Sequence, residues 1–432
     1  MKPLPPPTNV IPFEPPASPE QNDPPLFLPD TDEKGKPLKT SANLWAVLEH
    51  RGWVYRYNTM TVTPELMTAE GRRLGKTDEG QRSALVDACQ RAEVPDAAID
   101  EHLIALCQSN SYHPVREWLE AGPKWDEVRR VDAVLATLNA AEPDYAAAVL
   151  RPWLVGCVAA LYEQQWLSKL VPVLVGGQSF KKSAWVNRLA AVVAGSTLDC
   201  SIDPNKSDDV RRAVSAWIVE LAELETTTRH EAGALKAFIT RDVDRFRIPY
   251  AKSFTEKPRQ TGFIATVNGT DFLKDHTGNA RFAVIEMAGA ADLDRLNELL
   301  GWSWDAGRLS QTAPELLRQF WLEVKADYEA GASWYLDEAT SKQATTANDT
   351  HTDKGPHYET IVDRHLARPM QSARWFTAAD LCERHGEKPA MASRYGRALT
   401  MLEKEGRIES RPARSGRKEY RLPVNDLPQP QE

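Results

Sequence analysis

The stretch Val171–Ser183, VPVLVGGQSFKKS, constrains the fold more than any other part of the chain. An apolar, β-branched run from Val171 to Val175 reads as a buried strand. It stops at two glycines, and a helix begins near Lys182. A loop between such a strand and helix can wrap phosphates with backbone N–H groups, place a Lys ammonium on the outer phosphates and offer a hydroxyl to Mg²⁺. Counting from Gly176, the four residues Gly177, Gln178, Ser179 and Phe180 intervene before Lys181, which falls where the pattern wants a second glycine. Lys182 is then the phosphate lysine and Ser183 the Mg²⁺ ligand. Glycine is favoured at position 181 because the backbone turns tightly there and a side chain would crowd the phosphate. Alone, the segment also fits an ordinary strand, basic turn and helix.

Three further stretches follow in the order that phosphate chemistry needs. Ala216–Leu224 is an apolar strand interrupted by Glu220 and Glu223, with Glu225 just after. Burying a carboxylate costs several kcal/mol unless a cation or donor compensates, so acids here suit Mg²⁺ binding and activation of the attacking water. The competing reading is an amphipathic helix with a solvated acidic face. Gly262–Val267 is a third β-branched strand that ends at Asn268. An amide there can orient water or contact the γ-phosphate without adding charge, although Asn268-Gly269 is also a common turn pair. Arg281 follows in TGNARFAVIEM, ahead of another strand. A guanidinium reaching into a neighbouring subunit would stabilise charge on the transferred phosphoryl group; a lone surface arginine is the alternative.

With these stretches, WIVELAELE, ALKAFITRDVDRFRIPYAK, PRQTGFIATVNGTDFLKDHTGNARF and FWLEVKADYEAGASWYL, the chain resembles the virulence-associated E family of prophage and mobile-element ATPases, related to superfamily 3 helicases. The resemblance runs from Asn43 to Asp337 and includes YHPVREWLEAGPKWDEVRRVDAV upstream. It implies an α/β fold with a P-loop NTPase core of the AAA+ or superfamily 3 type over residues 171–340. The family usually carries Gly where Ser179 and Lys181 stand. The resemblance also puts Lys236, Arg247, Tyr250, Arg259, Asp275 and Asn279 near the site or a central pore. It implies an ATP-driven motor or initiator that acts on single-stranded and duplex DNA and forms a homo-oligomeric ring, a hexamer in related helicases. Lys236, Arg241, Arg245, Arg247 and Lys252 are then candidates for touching a single strand, with Phe246 and Tyr250 placed to stack on bases. A helix and loop with a basic solvated side explains the same residues.

Outside the core, residues 1–40 are Pro-rich, with Pro5–Pro7, Pro15-Pro16 and Pro24-Pro25, and read as a disordered tail. Residues 41–170 read as a mostly helical platform: a helix capped by Ser41, a hairpin from Trp53, and helices over Gln81–Ala92, Ala97–Gln108 and Tyr145–Leu161. Trp118, Leu119 and Trp125 have core spacing. A polar, Thr-rich linker is expected over 341–356. Residues 357–424 then resemble a winged helix-turn-helix domain: Thr377 caps one helix, Tyr395, Leu399 and Leu402 line a second, and a wing turns at Ser415-Gly416. Residues 425–432 read as a disordered tail. Arg394 and Arg397 on the second helix are the candidate base readers, and Arg417 and Lys418 on the wing are candidate phosphate contacts. Such a domain also serves as a partner-binding module.

The net charge of −8 excludes a uniformly DNA-coating surface but not local basic patches. Five scattered cysteines without CxxC spacing argue against a disulfide framework and structural zinc. No apolar stretch approaches the roughly 20 residues that span a bilayer, so a cytoplasmic protein with no membrane partner is expected. There is no GxSxG elbow, no HExxH pair and no acidic pair for nucleotidyl transfer, so priming would need a separate primase. A hydrolysis-impaired scaffold that binds DNA through its C-terminal domain is the second reading, and a transcription repressor the third.

Overall fold

A computed structural model describes residues 25–222, 224, 229–247, 254–269, 273, 279–351, 354–367, 372–413 and 417–424. The chain divides into two units between Glu117 and Trp118. In the first, α1 (Ser41–His50) starts behind Thr40, whose side chain accepts the Asn43 N–H at 3.3 Å. The cap is therefore one residue earlier than expected. β1 (Val54–Asn58) and β2 (Thr63–Met67) form the expected hairpin. After α2 (Asp78–Arg91) and α3 (Ala97–Gln108), β3 (Ser111–Tyr112) joins β1 in parallel. α4 (Pro114–Glu120) closes the segment. The first unit ends at Glu117, and the helices beyond it fall in the second unit.

That unit opens with α5 (Val131–Ala136) and α6 (Pro143–Tyr162). α6 is long and apolar enough to span a bilayer, against the expectation of no such stretch, but 72% of its apolar window is buried inside the protein. Its indole contacts explain the burial. Trp153 Nε1 donates to the Phe263 carbonyl at 2.8 Å, and the Cys157 carbonyl accepts from Trp217 Nε1 at 2.8 Å.

The elements that follow alternate strand and helix: β4 (Val171–Val175), α7 (Lys182–Ala190), β5 (Thr197–Cys200), α8 (Ser207–Val214) and β6 (Ile218–Leu221). Next come α9 (Arg229–Ile239), an antiparallel hairpin of β7 (Val243–Phe246) and β8 (Thr255–Pro258), then β9 (Gly262–Val267) and β10 (Phe282–Glu286). Among the described residues five of these strands form one parallel sheet in the order β10–β4–β9–β6–β5. The apolar runs VPVLV and FIATV suit strands covered on both faces, as parallel sheets are. The expected α/β class holds.

α10 (Leu293–Leu300), the hairpin of β11 (Trp302–Asp305) and β12 (Arg308–Gln311), and α11 (Pro314–Glu329) complete the covering layer. The Trp321 ring on α11 lies tilted against that of Trp217, centroids 4.5 Å apart, and its indole N–H donates to the Leu189 carbonyl. The linker expected over 341–356 is corrected next, since most of it is α12 (Glu338–Thr350), capped by Asp337. Polar composition hid this helix, whose buried residues are Thr340, Ala344 and Asn348. Asn348 Nδ2 donates to the Phe282 carbonyl at 2.8 Å.

The C-terminal segment holds α13 (Pro356–Ile361), β13 (Ser372–Phe376), α14 (Ala378–Arg384), α15 (Ala392–Lys404), β14 (Glu409–Pro412) and β15 (Lys418–Val424). Its strands pair antiparallel in the order β13–β15–β14. Tyr395, Leu399, Leu402, Leu381 and Leu422 form its core. Thr377 and Asp380 make a reciprocal capping box at the start of α14.

Candidate functional site

Three adjacent strands end at one place. β9 lies between β4, which leads into the Gly176–Ser183 loop, and β6, which carries Glu220. Lys182, the first residue of α7, is only 6% exposed. Its ammonium donates to the carbonyls of Gly176 (2.8 Å) and Gly177 (3.0 Å) and to Asn268 Oδ1 (3.0 Å). Asn268 stands just past the end of β9, as the sequence places it. The next residue of α7, Ser183, donates its hydroxyl to Glu220 Oε1 at 2.5 Å. Loop, amide and acid therefore share one cluster.

The loop itself is tightly turned. Ser179 has φ +73° and Lys181 has φ +60°, so both occupy the left-handed region where glycine is expected. Lys181 and the loop residues Gln178 and Ser179 are exposed. Phe180 folds its ring over the two glycines: a Cβ on Gly176 would stand 2.6 Å from it and one on Gly177 3.1 Å. A side chain at Gly176 would therefore have to displace the phenyl ring, and one at Gly177 would crowd it. The Phe180 carbonyl accepts the Ala291 N–H at 3.0 Å, which ties the loop to the segment after β10.

Glu220 is 3% exposed, and burial pushes its carboxyl above the usual range. Hydrogen bonds from Ser183 and Thr266 oppose that shift, Asp199 adds to it, and Lys182 opposes it. A hydroxyl beside a buried carboxylate is a hard-oxygen donor set that fits Mg²⁺, and a cation there would relieve the cost of burying the charge. Glu223 lies outside the described residues, as do Glu225, Tyr250, Lys252 and Asp275. The side chain of Asn279 is also outside them.

Two residues of the cluster escaped the sequence reading. Thr266 donates its hydroxyl to Glu220 Oε1 at 2.6 Å. Asp199 on β5 stands in register with Glu220 across the sheet. The signal for Thr266 was its place two residues before Asn268, because alternate residues of a strand share a face.

Arg281 is not part of this cluster. It precedes β10, whose first residue Phe282 pairs with Val171 and whose last, Glu286, pairs with Val175 at the loop. Four residue steps at ~3.3 Å each separate the two ends, about 13 Å of strand.

The candidate DNA contacts divide. Lys236 is only 6% exposed, the same as Lys182. Phe246 is buried in the core and offers no stacking face. Arg259 is also structural: it forms a two-point ion pair with Asp244 (2.6 and 2.7 Å), bonds the Phe238 carbonyl and lies over the Phe238 and Phe263 rings. Arg247 is exposed at the β7–β8 hairpin, 5.1 Å from the ring centre of Phe254, which is 66% exposed. Arg245 is exposed as well, paired with Glu256. In the C-terminal segment Arg394, Arg397 and Arg417 are exposed. Lys418 instead pairs with Glu403 (2.7 Å) and Arg421 with Glu409 (3.1 Å), so the basic balance of this segment is partly neutralised within it.

The apo structure of the NrS-1 C-terminal region (residues 305–718) has 12% identity and a TM-score of 0.44 over 88% of this chain and 98% of that one. A second apo form of that region has the same identity and score over 88% and 99%. No curated protein matches the sequence at a significant level. Residues 119–353 match the profile of the virulence-associated protein E-like domain. That span is more than half of the 432 residues and contains the whole parallel sheet with its loop, so the chain belongs to the virulence-associated protein E-like family.

Proposed function

We propose that this chain is an ATP-hydrolysing motor or initiator of the helicase type, acting on DNA during replication of a phage, plasmid or genomic island. The observation that carries the reading is the meeting of Lys182, Asn268, Ser183 and Glu220 at the ends of three neighbouring strands. In this reading the sheet is a P-loop NTPase core of the AAA+ or superfamily 3 type, and ATP lies in the Gly176–Ser183 loop. Lys182 exchanges its carbonyl partners for the outer phosphates, and Asn268, its third partner, faces the γ-phosphate. Ser183 and Glu220 would hold Mg²⁺, which would neutralise charge on the phosphate oxygens. The distance between Arg281 and the loop of its own subunit favours a role in trans, and hence a homo-oligomeric ring, a hexamer by likeness to related helicases.

Exposed Arg247 and Phe254 on the β7–β8 hairpin fit a single strand, through charge and stacking. The three-stranded antiparallel sheet with α14 and α15 supports a winged-helix reading of 357–424. There Arg394 and Arg397 would face duplex DNA, with Arg417 on a phosphate. A cytoplasmic setting and a separate primase complete the proposal.

The test is ATP hydrolysis with and without single-stranded DNA. The wild-type chain should turn over ATP faster when DNA is present, and Lys182→Ala should abolish turnover. Absence of hydrolysis, or hydrolysis unaffected by Lys182→Ala, would overturn the reading. DNA binding that persists without hydrolysis would leave the scaffold alternative.

A further inference from the structure

Glu220 receives two hydroxyl hydrogens on one oxygen. Ser183 and Thr266 both donate to Oε1, at 2.5 and 2.6 Å, while among the described residues no donor is paired with Oε2. The two donors differ in stiffness. Ser183 is exposed at the junction of loop and helix, where the loop must adapt to whatever it binds. Thr266 is β-branched, which restricts its χ1, and it sits on β9 at the centre of the parallel sheet. The terminal torsion of a glutamate is broad and roughly two-fold, so the strand side chain is what fixes the plane of this carboxylate. β9 serves the loop in the same way, since Asn268, two residues on, accepts from Lys182.

We propose that Thr266 is a positioning residue for the hydrolytic step: by holding Oε1 of Glu220 it presents Oε2 to the metal and its water. This rests on the ATPase reading above. Without the Thr266 hydroxyl the carboxylate keeps only the Ser183 donor and rotates more freely. Nucleotide binding, carried by the loop and Lys182, is left intact, and the loss falls on turnover.

The experiment compares wild-type, Thr266→Val and Thr266→Ser chains in ATP turnover and in binding of a fluorescent nucleotide. Thr266→Val, close in shape but lacking the hydroxyl, should lower kcat by about 10–100-fold, as removal of an outer-shell partner does, with nucleotide affinity unchanged. Thr266→Ser, which returns the hydroxyl on the same strand without the β-branch, should recover most of the turnover. In a Glu220→Gln background Thr266→Val should cost nothing further, because the two act through one carboxylate. Wild-type kcat in Thr266→Val would overturn the proposal and leave the ATPase reading standing. So would parallel loss of binding and turnover that serine does not recover. A wild-type chain without turnover would overturn the ATPase reading and the proposal together.

Discussion

Lys181 and Ser179 carry side chains through the left-handed region within one short loop, a conformation that costs a non-glycine residue roughly 1–2 kcal/mol. The backbone therefore already has the bend that glycine would give, and the lysine side chain is exposed. Relief of that strain in Lys181→Gly is offset by the greater freedom of glycine in the unfolded chain. Stability should shift by no more than about 1 kcal/mol in urea denaturation, and ATP turnover should not fall. The buried Arg259–Asp244 pair behaves differently. Arg259→Ala leaves Asp244 charged, fully buried and without its partner, and should cost about 3–5 kcal/mol in the same measurement. Replacing both residues by Met and Leu should recover most of it. At this scale the sequence disclosed Lys182, Ser183, Glu220 and Asn268 because each breaks an apolar or glycine pattern at a strand end. It misread Phe246, and the burial of Lys236 and Arg259 was equally hidden, since a basic or aromatic residue in a run does not declare whether its side chain points outward or pairs inside.

Among elements, the C-terminal segment contains an ordered chain of hydrogen bonds. His365 Nδ1 faces the Pro423 carbonyl at 2.7 Å and must donate. His365 Nε2 is then an acceptor for His385 Nε2 at 2.9 Å, and His385 Nδ1 accepts from the Tyr395 hydroxyl at 3.0 Å. A proton added to His365 Nε2 sets two N–H groups against each other, and one added to His385 Nδ1 displaces the hydrogen that Tyr395 donates there. Burial lowers both imidazoles, His385 to about 4, and the neighbouring Arg364 and Arg384 add to the effect. Since the folded values lie below the ordinary 6.5, the unfolded chain binds more protons between the two. Stability is therefore full above pH 6.5 and declines as the pH falls toward 4. Amide protection factors over 372–424 in the full chain, which remove the intrinsic slowing of exchange at low pH, should be smaller at pH 5 than at pH 7, and His385→Gln should flatten that dependence. For duplex DNA, Arg394→Ala and Arg397→Ala should each reduce the slope of log affinity against log salt by about 0.9 if the residue contacts a phosphate. Helix α12 shows why element boundaries were less legible than the motifs. Its sequence lacks an apolar stripe, and its buried residues are Thr340, Ala344 and Asn348, which periodicity does not register.

For the whole molecule, the loop and Arg281 stand at opposite ends of β10 and its neighbour β4. Under the trans reading each defect lies at a different interface partner. Lys182→Ala and Arg281→Ala chains, each inactive alone, should therefore regain part of their ATPase activity when mixed, as a coupled phosphate-release assay would show. Mixtures that stay silent would count against the shared site. The parallel sheet that sets this separation was legible as a class from its apolar runs. The strand order was not, because register across the sheet is a matter of tertiary pairing. Under the trans reading, a centre divided between two faces of one subunit would make a solitary copy chemically inert. Dilution alone would then act as an off state, and turnover would climb more steeply than protein concentration near the assembly threshold.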